Sequence, residues 1–367
     1  MSGHGPAGEA PEPPRTPPPR TPPARSGFQC WQVLCCVDHS LVNTELQTEM
    51  SYQQKPQEGN LTHLKEFVLL GFSDVPHLQW FLFALLIAMY FFILLGNSTI
   101  ILITKVDSTL QTPMYFFLGN FSFLEICYVS ITLPRMVFNL GTQRRTISFI
   151  ACATQMCCTL VLGAAECILL AVMAYDRYVA ICNPLHYPLV MNQRVCSQLV
   201  IGSWVGGIPI QIGQSSQIFS LSFCGSNQIN HFFCDIPPIL HLACGDIFVN
   251  KMMVLLGAML FVLVPFLLIV FSYSKIISTV LKLPSARSQA KAFSTCSSHL
   301  AVVMLFFGSA MITYLRSNTT HSGGTDKVLS LFYTVVTPMF NPIVYSLRNK
   351  DVKIALKKIL CKQCTKI

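Results

Sequence analysis

The stretch Met173-Ala174-Tyr175-Asp176-Arg177-Tyr178-Val179-Ala180-Ile181-Cys182-Asn183-Pro184-Leu185-His186-Tyr187-Pro188 places an acid and an arginine at the end of a long apolar run. A loop that contains two prolines follows the charged pair. This arrangement is typical of a membrane helix that reaches the cytosol, because a charge at the boundary must be paired or must extend to the lipid headgroups. The stretch therefore predicts a membrane-spanning helix.

The composition of the whole chain indicates the same class. Of the 367 residues, 52% are hydrophobic and only 11% are charged, which is too little charge for the surface of a soluble fold of this size. Runs of about 20 apolar residues, enough to cross roughly 30 Å of hydrocarbon, recur seven times. They lie at about 78–104, 113–139, 149–181, 197–219, 250–281, 292–315 and 326–347. The sequence predicts an all-α membrane protein, a seven-transmembrane helix bundle.

The distribution of Lys and Arg predicts the orientation of this bundle. If the N-terminus is extracellular, the cytosolic segments hold roughly twice as many of these residues as the outer loops and helix ends. We therefore expect an extracellular N-terminus and a cytoplasmic C-terminus. The net charge of +9 is then mostly a signal of topology, and we predict no nucleic-acid partner.

Two acids fall inside the predicted spans, where an ionised side chain is costly and marks function by default. At 1.5 Å per residue, Glu125 and Glu166 lie at a similar depth on neighbouring spans. Two ionised carboxylates at one depth would repel each other. Either one of them binds a proton or a cation lies between them.

Four cysteines lie at or beyond the extracellular ends of the predicted spans, and the sequence alone does not decide among their three pairings. They are Cys152, Cys224, Cys234 and Cys244. Asn60-Leu61-Thr62 is our preferred glycosylation sequon, because it precedes the first span on the predicted extracellular side. Asn318-Thr319-Thr320 is a weaker alternative close to a helix end, and the sequons at Asn97 and Asn120 lie within spans.

Several motifs occur together and in order. The stretch at 173–188, Lys291-Ala292-Phe293-Ser294-Thr295-Cys296-Ser297-Ser298-His299 and Pro338-Met339-Phe340-Asn341-Pro342-Ile343-Val344-Tyr345 resemble motifs of the olfactory receptors, the odorant-sensing branch of the rhodopsin-like (class A) G-protein-coupled receptors. The resemblance runs from about Met50 to Leu360. It implies a plasma-membrane receptor that binds a small volatile odorant and activates a stimulatory, olfactory-type heterotrimeric G protein, which raises cyclic AMP.

The resemblance also assigns roles to residues. It implies the disulfides Cys152–Cys234 and Cys224–Cys244, and a sodium ion at Glu125 and Glu166 as the sole cofactor; protonated, hydrogen-bonded acids are the alternative. It implies a mostly apolar ligand cavity lined by Met156, Thr159, Leu160, Gly163, Val254, Gly257, Ala258, Phe261, Phe307, Ala310, Met311, Tyr314, Leu331 and Thr334. It implies coupling and activation through Asp176, Arg177, Tyr178, Tyr273, His299, Asn341, Pro342 and Tyr345. The Asp176–Arg177 pair is expected to hold the inactive state.

We therefore divide the chain into four segments. Residues 1–49 are a disordered, Pro/Arg-rich extension, and residues 50–77 are an extracellular tail. Residues 78–347 form the seven-transmembrane receptor domain. In residues 348–367, apolar and basic side chains alternate at helical spacing, which predicts a short amphipathic helix on the lipid bilayer.

Other classes of function are less well supported. An ion-conducting or transporting bundle would be expected to carry internal repeats and half-helices, and we see neither. A membrane enzyme would need a metal-ligand set or a nucleophile arrangement, which the sequence does not offer. A receptor of the same fold for a non-odorant metabolite outside the nose is the close alternative.

Overall fold

The computed structural model describes residues 65–72, 76–142, 144–224, 226–316, 327, 330–347 and 352–358. At 291, 295, 310–316 and 346–347 it describes the backbone alone. The extension 1–49, the sequon at Asn60 and much of the C-terminal segment lie outside the described residues. What we predicted for them stays a prediction.

Seven helices follow one another along the chain and coincide with the seven predicted spans. They are α1 (Gln79–Val106), α2 (Pro113–Thr142), α3 (Phe149–Cys182), α4 (Gln193–Phe219), α5 (Phe248–Leu281), α6 (Ala286–Arg316) and α7, in which the π-helical turn Phe332–Val336 continues into Thr337–Leu347. Short helical turns lie at Pro76–Leu78, Ser108–Leu110, Tyr187–Val190 and Ile236–Leu240, and residues 352–358 are helical. The strands are β1 (Glu66–Leu69), β2 (Thr146–Ser148) and β3 (Gln228–Ile229).

Length and hydropathy support the membrane assignment for most of these helices. Within the described residues, five helices are long and apolar enough to cross a membrane, and α6 makes a sixth if its two parts, bent by 41°, count as one span. Helix α7 is described at Lys327 and then continuously from Ser330. The fold is a seven-helix membrane bundle.

Helix α3 forms the centre of the bundle. It packs against α2, α4 and α5. In the most apolar stretch of α3, 67% is buried, whereas in that of α5 only 17% is buried. Leu169, Leu170 and Ala174 of α3 are fully buried. Large apolar side chains on α5, among them Leu256 and Phe271, are instead exposed, as expected for a helix that faces lipid.

Proline and glycine interrupt three of the helices. The π-helical turn Met259–Leu263 in α5 ends two residues before Pro265, and α7 contains Pro342 within Thr337–Leu347. Such turns mark places where the regular hydrogen bonding of a helix is relieved. Helix α4 consists of Gln193–Val205 and Ile208–Phe219, with Gly206 and Gly207 between them.

A small sheet and two disulfides gather at one end of the bundle, which we call the disulfide end. Strand β1 pairs antiparallel with β2 and parallel with β3. The cysteine pairs are Cys152–Cys234 and Cys224–Cys244, the pairing that the resemblance implied. No pattern in the sequence indicated this sheet. We call the opposite end, where α3 finishes, the Arg177 end.

Candidate functional site

A loop between α4 and α5 covers the bundle at the disulfide end. The disulfide Cys152–Cys234 ties this loop to the first turn of α3. The backbone N–H of Cys234 also donates to Oε1 of Gln155 at 3.1 Å, and Gln155 in turn donates to the carbonyl of Ile131 at 3.1 Å. From α7, the hydroxyl of Tyr333 donates to Oδ2 of Asp235 at 3.0 Å. The loop is therefore attached to α3 and to α7.

The predicted ligand residues of α3 lie beneath this loop. Met156 is buried, while Thr159, Leu160 and Gly163 are partly exposed. These positions lie among buried neighbours in the most buried helix of the bundle. A methyl group added at Gly163 would meet no atom within 4 Å, so free space borders α3 at this level.

The predicted ligand residues of α5 lie close to α4. Gly257 is buried, and a Cβ atom at this position would lie 3.2 Å from Oε1 of Gln214 on α4. Phe261 is buried near Gly207, also on α4. Val254 packs beside the cluster that contains Met156, and Ala258 is partly buried. The α5 residues thus border α4 as well as α3.

The predicted residues of α6 and α7 belong to other packing clusters. Phe307 is 1% exposed and contacts Phe266 of α5, with ring centroids 5.4 Å apart. Leu331 packs in a cluster with α2, and Thr334 is fully buried. The side chains of Ala310, Met311 and Tyr314 lie outside the described part of α6. Ligand contact by these residues remains a prediction.

A cleft that is open to solvent lies at the disulfide end, between β1, α2 and Phe232 of the loop. Its lining includes Gly71, Met136 and Arg145. None of the predicted ligand residues lines this cleft.

The two membrane acids meet in a buried polar cluster. Glu125, Glu166 and Asn341 are each at most 3% exposed, and the carboxyl groups of Glu125 and Glu166 lie close enough to interact. Nδ2 of Asn341 donates to Oε1 of Glu125. Three buried oxygens of this cluster have no hydrogen-bond partner among the described residues, namely Ser122 Oγ, Glu125 Oε2 and Asn341 Oδ1. A set of unpaired oxygens is the donor chemistry that a hard cation prefers.

The charged pair at the Arg177 end differs from our expectation. Asp176 and Arg177 are both buried, but between these two described side chains the structure shows no salt bridge. Oδ1 of Asp176 instead accepts a hydrogen bond from the hydroxyl of Tyr187 at 2.9 Å. Arg177 nevertheless acts on the carboxylate of Asp176 through its charge. The role that we assigned to the Asp176–Arg177 pair therefore stays a prediction.

The other predicted coupling residues surround Arg177. The hydroxyl of Tyr273 on α5 and Nδ1 of His299 on α6 are 2.8 Å apart, and their rings stack. Tyr345 is buried against Phe121, with ring centroids 6.1 Å apart, and Arg177 lies close enough to act electrostatically on all three side chains. Pro342 is buried and Tyr178 partly buried.

Two groups at this end have shifted acidities. Burial, followed by the nearby carboxylate of Asp176, raises the pKa of Tyr187 well above its usual range. At the turn after α1, hydrogen bonds from the hydroxyl and the backbone N–H of Thr109 lower the pKa of Asp107. Lys358 lies 3.8 Å from Asp107 and connects this turn to the helical residues 352–358.

Sequence reasoning missed several of these contacts. Three polar residues each connect two elements, namely Gln155, Tyr187 and Tyr333. Each stands alone in an apolar or loop stretch, so no spacing pattern marks it in the sequence. Tyr187 alone carried a signal, because it lies in the opening stretch, shortly after the charged pair.

Comparison with known proteins identifies the family. The sequence profile of the olfactory receptors matches residues 86–363. The chain belongs to the olfactory receptor family. It is 62% identical to Olfactory receptor 10AG1 of Homo sapiens over 300 residues, which cover 82% of this chain and 100% of that protein. It is 49% identical to Olfactory receptor 10A7 of Homo sapiens over 301 residues, which cover 82% of this chain and 95% of that protein.

The fold agrees with this assignment. A crystal structure of squid rhodopsin matches with a TM-score of 0.65 at 16% identity, and the match covers 77% of this chain and 80% of that one. The receptor is thus a multi-pass plasma-membrane protein of the G-protein-coupled class. Olfactory receptors are not enzymes, and membership of the family places this chain outside the enzymes.

Proposed function

We propose that this receptor binds a small, mostly hydrophobic volatile ligand between α3, α4 and α5, and that binding activates a stimulatory, olfactory-type G protein. One observation carries the proposal: open space adjoins Gly163 on α3, below a loop that is tied to α3 and α7. No residue in the predicted ligand set is charged. Such a cavity favours an apolar ligand over an amine or a carboxylate.

The Arg177 end supplies the second half of the proposal. Arg177 is 8% exposed, and its charge acts on Tyr273, His299 and Tyr345, which lie on α5, α6 and α7. A shift of α5, α6 or α7 would change these contacts and uncover the arginine for a G protein. The ligand can drive that shift only by the difference between its binding free energies for the two arrangements.

The experiment measures cyclic AMP in cells that carry the full-length receptor while panels of volatile compounds are applied. Wild type should respond to some of them, and Arg177→Ala should reach the cell surface but lose the response. A full response of Arg177→Ala would contradict the coupling mechanism. Surface staining separates loss of signalling from loss of delivery.

We further propose a sodium ion at the cluster of Ser122, Glu125, Glu166 and Asn341. These residues would hold the ion through side-chain oxygens, and it would neutralise carboxylate charge in the bilayer interior. Sodium should raise the thermal stability of the purified receptor more than potassium does, and Glu125→Gln should remove the difference. Equal stability in both salts would leave two hydrogen-bonded, protonated acids as the explanation.

We propose an extracellular N-terminus that carries a glycan at Asn60. The support is the excess of Lys and Arg in the opposite loops. Glycosidase should lower the apparent mass of wild type and leave Asn60→Gln unchanged. A mass shift that persists in Asn60→Gln would move the glycan to another sequon.

A further inference from the structure

The second part of α4, Ile208–Phe219, carries three buried polar side chains that no sequence motif marks. Gln211, Gln214 and Ser215 are each 5% exposed, although they lie in the part of α4 that crosses the membrane. Polar side chains in such a position are costly unless they face a partner. The groups that these three side chains face therefore determine their role.

The register of α3 and α4 places these residues at the level of the predicted ligand face. The two helices run in opposite directions: Phe219 at the end of α4 contacts Phe149 at the start of α3, with ring centroids 5.2 Å apart. Further along, Gly207 lies against Ala164. Four residues are roughly 6 Å of helix, so Gln211 lies near the level of Leu160, and Ser215 lies one turn closer to the disulfide end.

Two atoms of this group lack a hydrogen-bond partner among the described residues. They are Oε1 of Gln211 and Oγ of Ser215. The two residues are four apart, so their side chains share one face of α4. A buried polar atom without a partner is unfavourable, and a molecule that supplies the missing bond gains affinity from it.

The neighbouring residues connect this group to the free space. Ile208–Phe219 packs against both α3 and the first part of α5. Gln214 reaches α5 at Gly257, where an added Cβ atom would lie 3.2 Å from the amide oxygen of Gln214. Across the same helices, Gly163 borders open space.

From this arrangement we propose that Gln211 and Ser215 form a hydrogen-bonding subsite that recognises a hydroxyl group on the ligand. The inference rests on the proposed function and specifies its ligand class. An amide oxygen only accepts hydrogen bonds, so Gln211 selects a ligand that donates one. The hydroxyl of Ser215 can donate to the oxygen of the same group. An alcohol satisfies both residues, whereas an ether, ketone or ester leaves Gln211 unpaired.

The test compares matched pairs of odorants on the full-length receptor. The pairs are hexanol, octanol and phenylethanol, each with its methyl ether, and the panel also holds ketones and esters of similar size. Cyclic AMP is recorded against concentration for wild type and for Gln211→Leu, which keeps a similar volume without the polar group. We expect wild type to prefer at least one alcohol over its ether, and Gln211→Leu to reduce that preference by about tenfold.

Two exposed residues of the same types provide the controls. Gln217→Leu and Ser216→Ala change a glutamine and a serine that lie on the exposed side of α4, and should leave the preference unchanged. Ser215→Ala should lower the preference for alcohols less than Gln211→Leu does, because the amide oxygen of Gln211 still needs a hydrogen-bond donor. Surface staining of each variant, and its response to the ether, show whether it folds.

The outcomes separate the two proposals. A wild-type receptor that responds to none of the volatile compounds contradicts the proposed function. A receptor that responds equally to alcohols and ethers, or keeps its alcohol preference in Gln211→Leu, overturns the subsite alone. Equal responses would mean that a resident water satisfies Gln211 and Ser215.

Discussion

The two ends of the bundle are held together by different kinds of interaction. At the disulfide end, two covalent bonds, a three-stranded sheet and the bonds of Gln155 and Tyr333 attach a loop to the helices. At the Arg177 end, the polar contacts between elements include the single hydrogen bonds of Tyr187 to Asp176, Tyr273 to His299 and Cys182 to Thr279, and the ion pair of Lys358 with Asp107. A single hydrogen bond contributes only about 1 kcal/mol. The Arg177 end is therefore the part of the bundle that can rearrange at low cost.

The largest test of this comparison removes the disulfide that ties the loop to α3. Cys234→Ser should destabilise the receptor by roughly 2–5 kcal/mol, because the bond joins residues 82 positions apart. We expect most of the protein to be retained inside the cell, as measured by surface staining against total protein. Cys127→Ser, at a free and partly buried cysteine, is the control. Surface delivery of Cys234→Ser at the wild-type level would show that the loop is held without the disulfide.

An intermediate effect is expected at the Arg177 end from Tyr187→Phe. The carboxylate of Asp176, now bonded to Tyr187, becomes available to Arg177, and the new pair restrains the arginine. Breaking that pair on activation costs about 1 kcal/mol. The odorant concentration that gives a half-maximal cyclic AMP response should therefore rise roughly fivefold. Surface delivery should not change.

Tyr175→Phe is the matched control, because Tyr175 is exposed on the same helix as Asp176 and its ring contacts only Tyr178 among the aromatic residues described. An unchanged response of Tyr187→Phe, or a raised basal level of cyclic AMP, would contradict a competition between Tyr187 and Arg177 for Asp176.

The smallest effect concerns the turn after α1 and its dependence on pH. The pKa of Asp107 is lowered in the folded receptor, so its bonds to Thr109 stabilise the fold above the ordinary value of 3.8 and are lost as pH falls through the lowered pKa. Thr109→Val removes the hydroxyl that donates to Asp107 at 2.7 Å. The thermal midpoint of the purified variant should drop slightly at neutral pH and converge with wild type in acid.

Thr99→Val is the control for that measurement, since Thr99 donates to the carbonyl of Leu95 and to no carboxylate. A difference between Thr109→Val and wild type that stays constant down to acid pH would show that Asp107 does not contribute through its charge.

The sequence predicts the helices well and the contacts between them poorly, for physical reasons. A membrane span needs about 20 apolar residues, and this long pattern is visible in the sequence whichever neighbours the helix packs against. Strands β1 to β3 are at most four residues long and pair across distant parts of the chain, so no local periodicity marks them. The break of α4 at Gly206 and Gly207 was hidden because the run of apolar residues continues through it.

The polar contacts illustrate the same limit. The nearness of Glu125 to Glu166 was predictable, because depth along two spans follows from counting residues. The partner of Asp176 was not, because Arg177 is its neighbour in sequence while Tyr187 becomes its neighbour only after the chain turns back at Pro184. Gln211 and Ser215 were overlooked because the sequence does not show whether a polar residue faces lipid, a helix or a cavity.

The pairing of β1 has a consequence for biosynthesis. Its two partners are made much later than β1 itself, β2 after α2 and β3 after α4. A nascent receptor therefore exposes the edge of β1, with its unpaired backbone groups, until four helices have been inserted. The three-stranded sheet can therefore be completed only after more than half of the chain has been made.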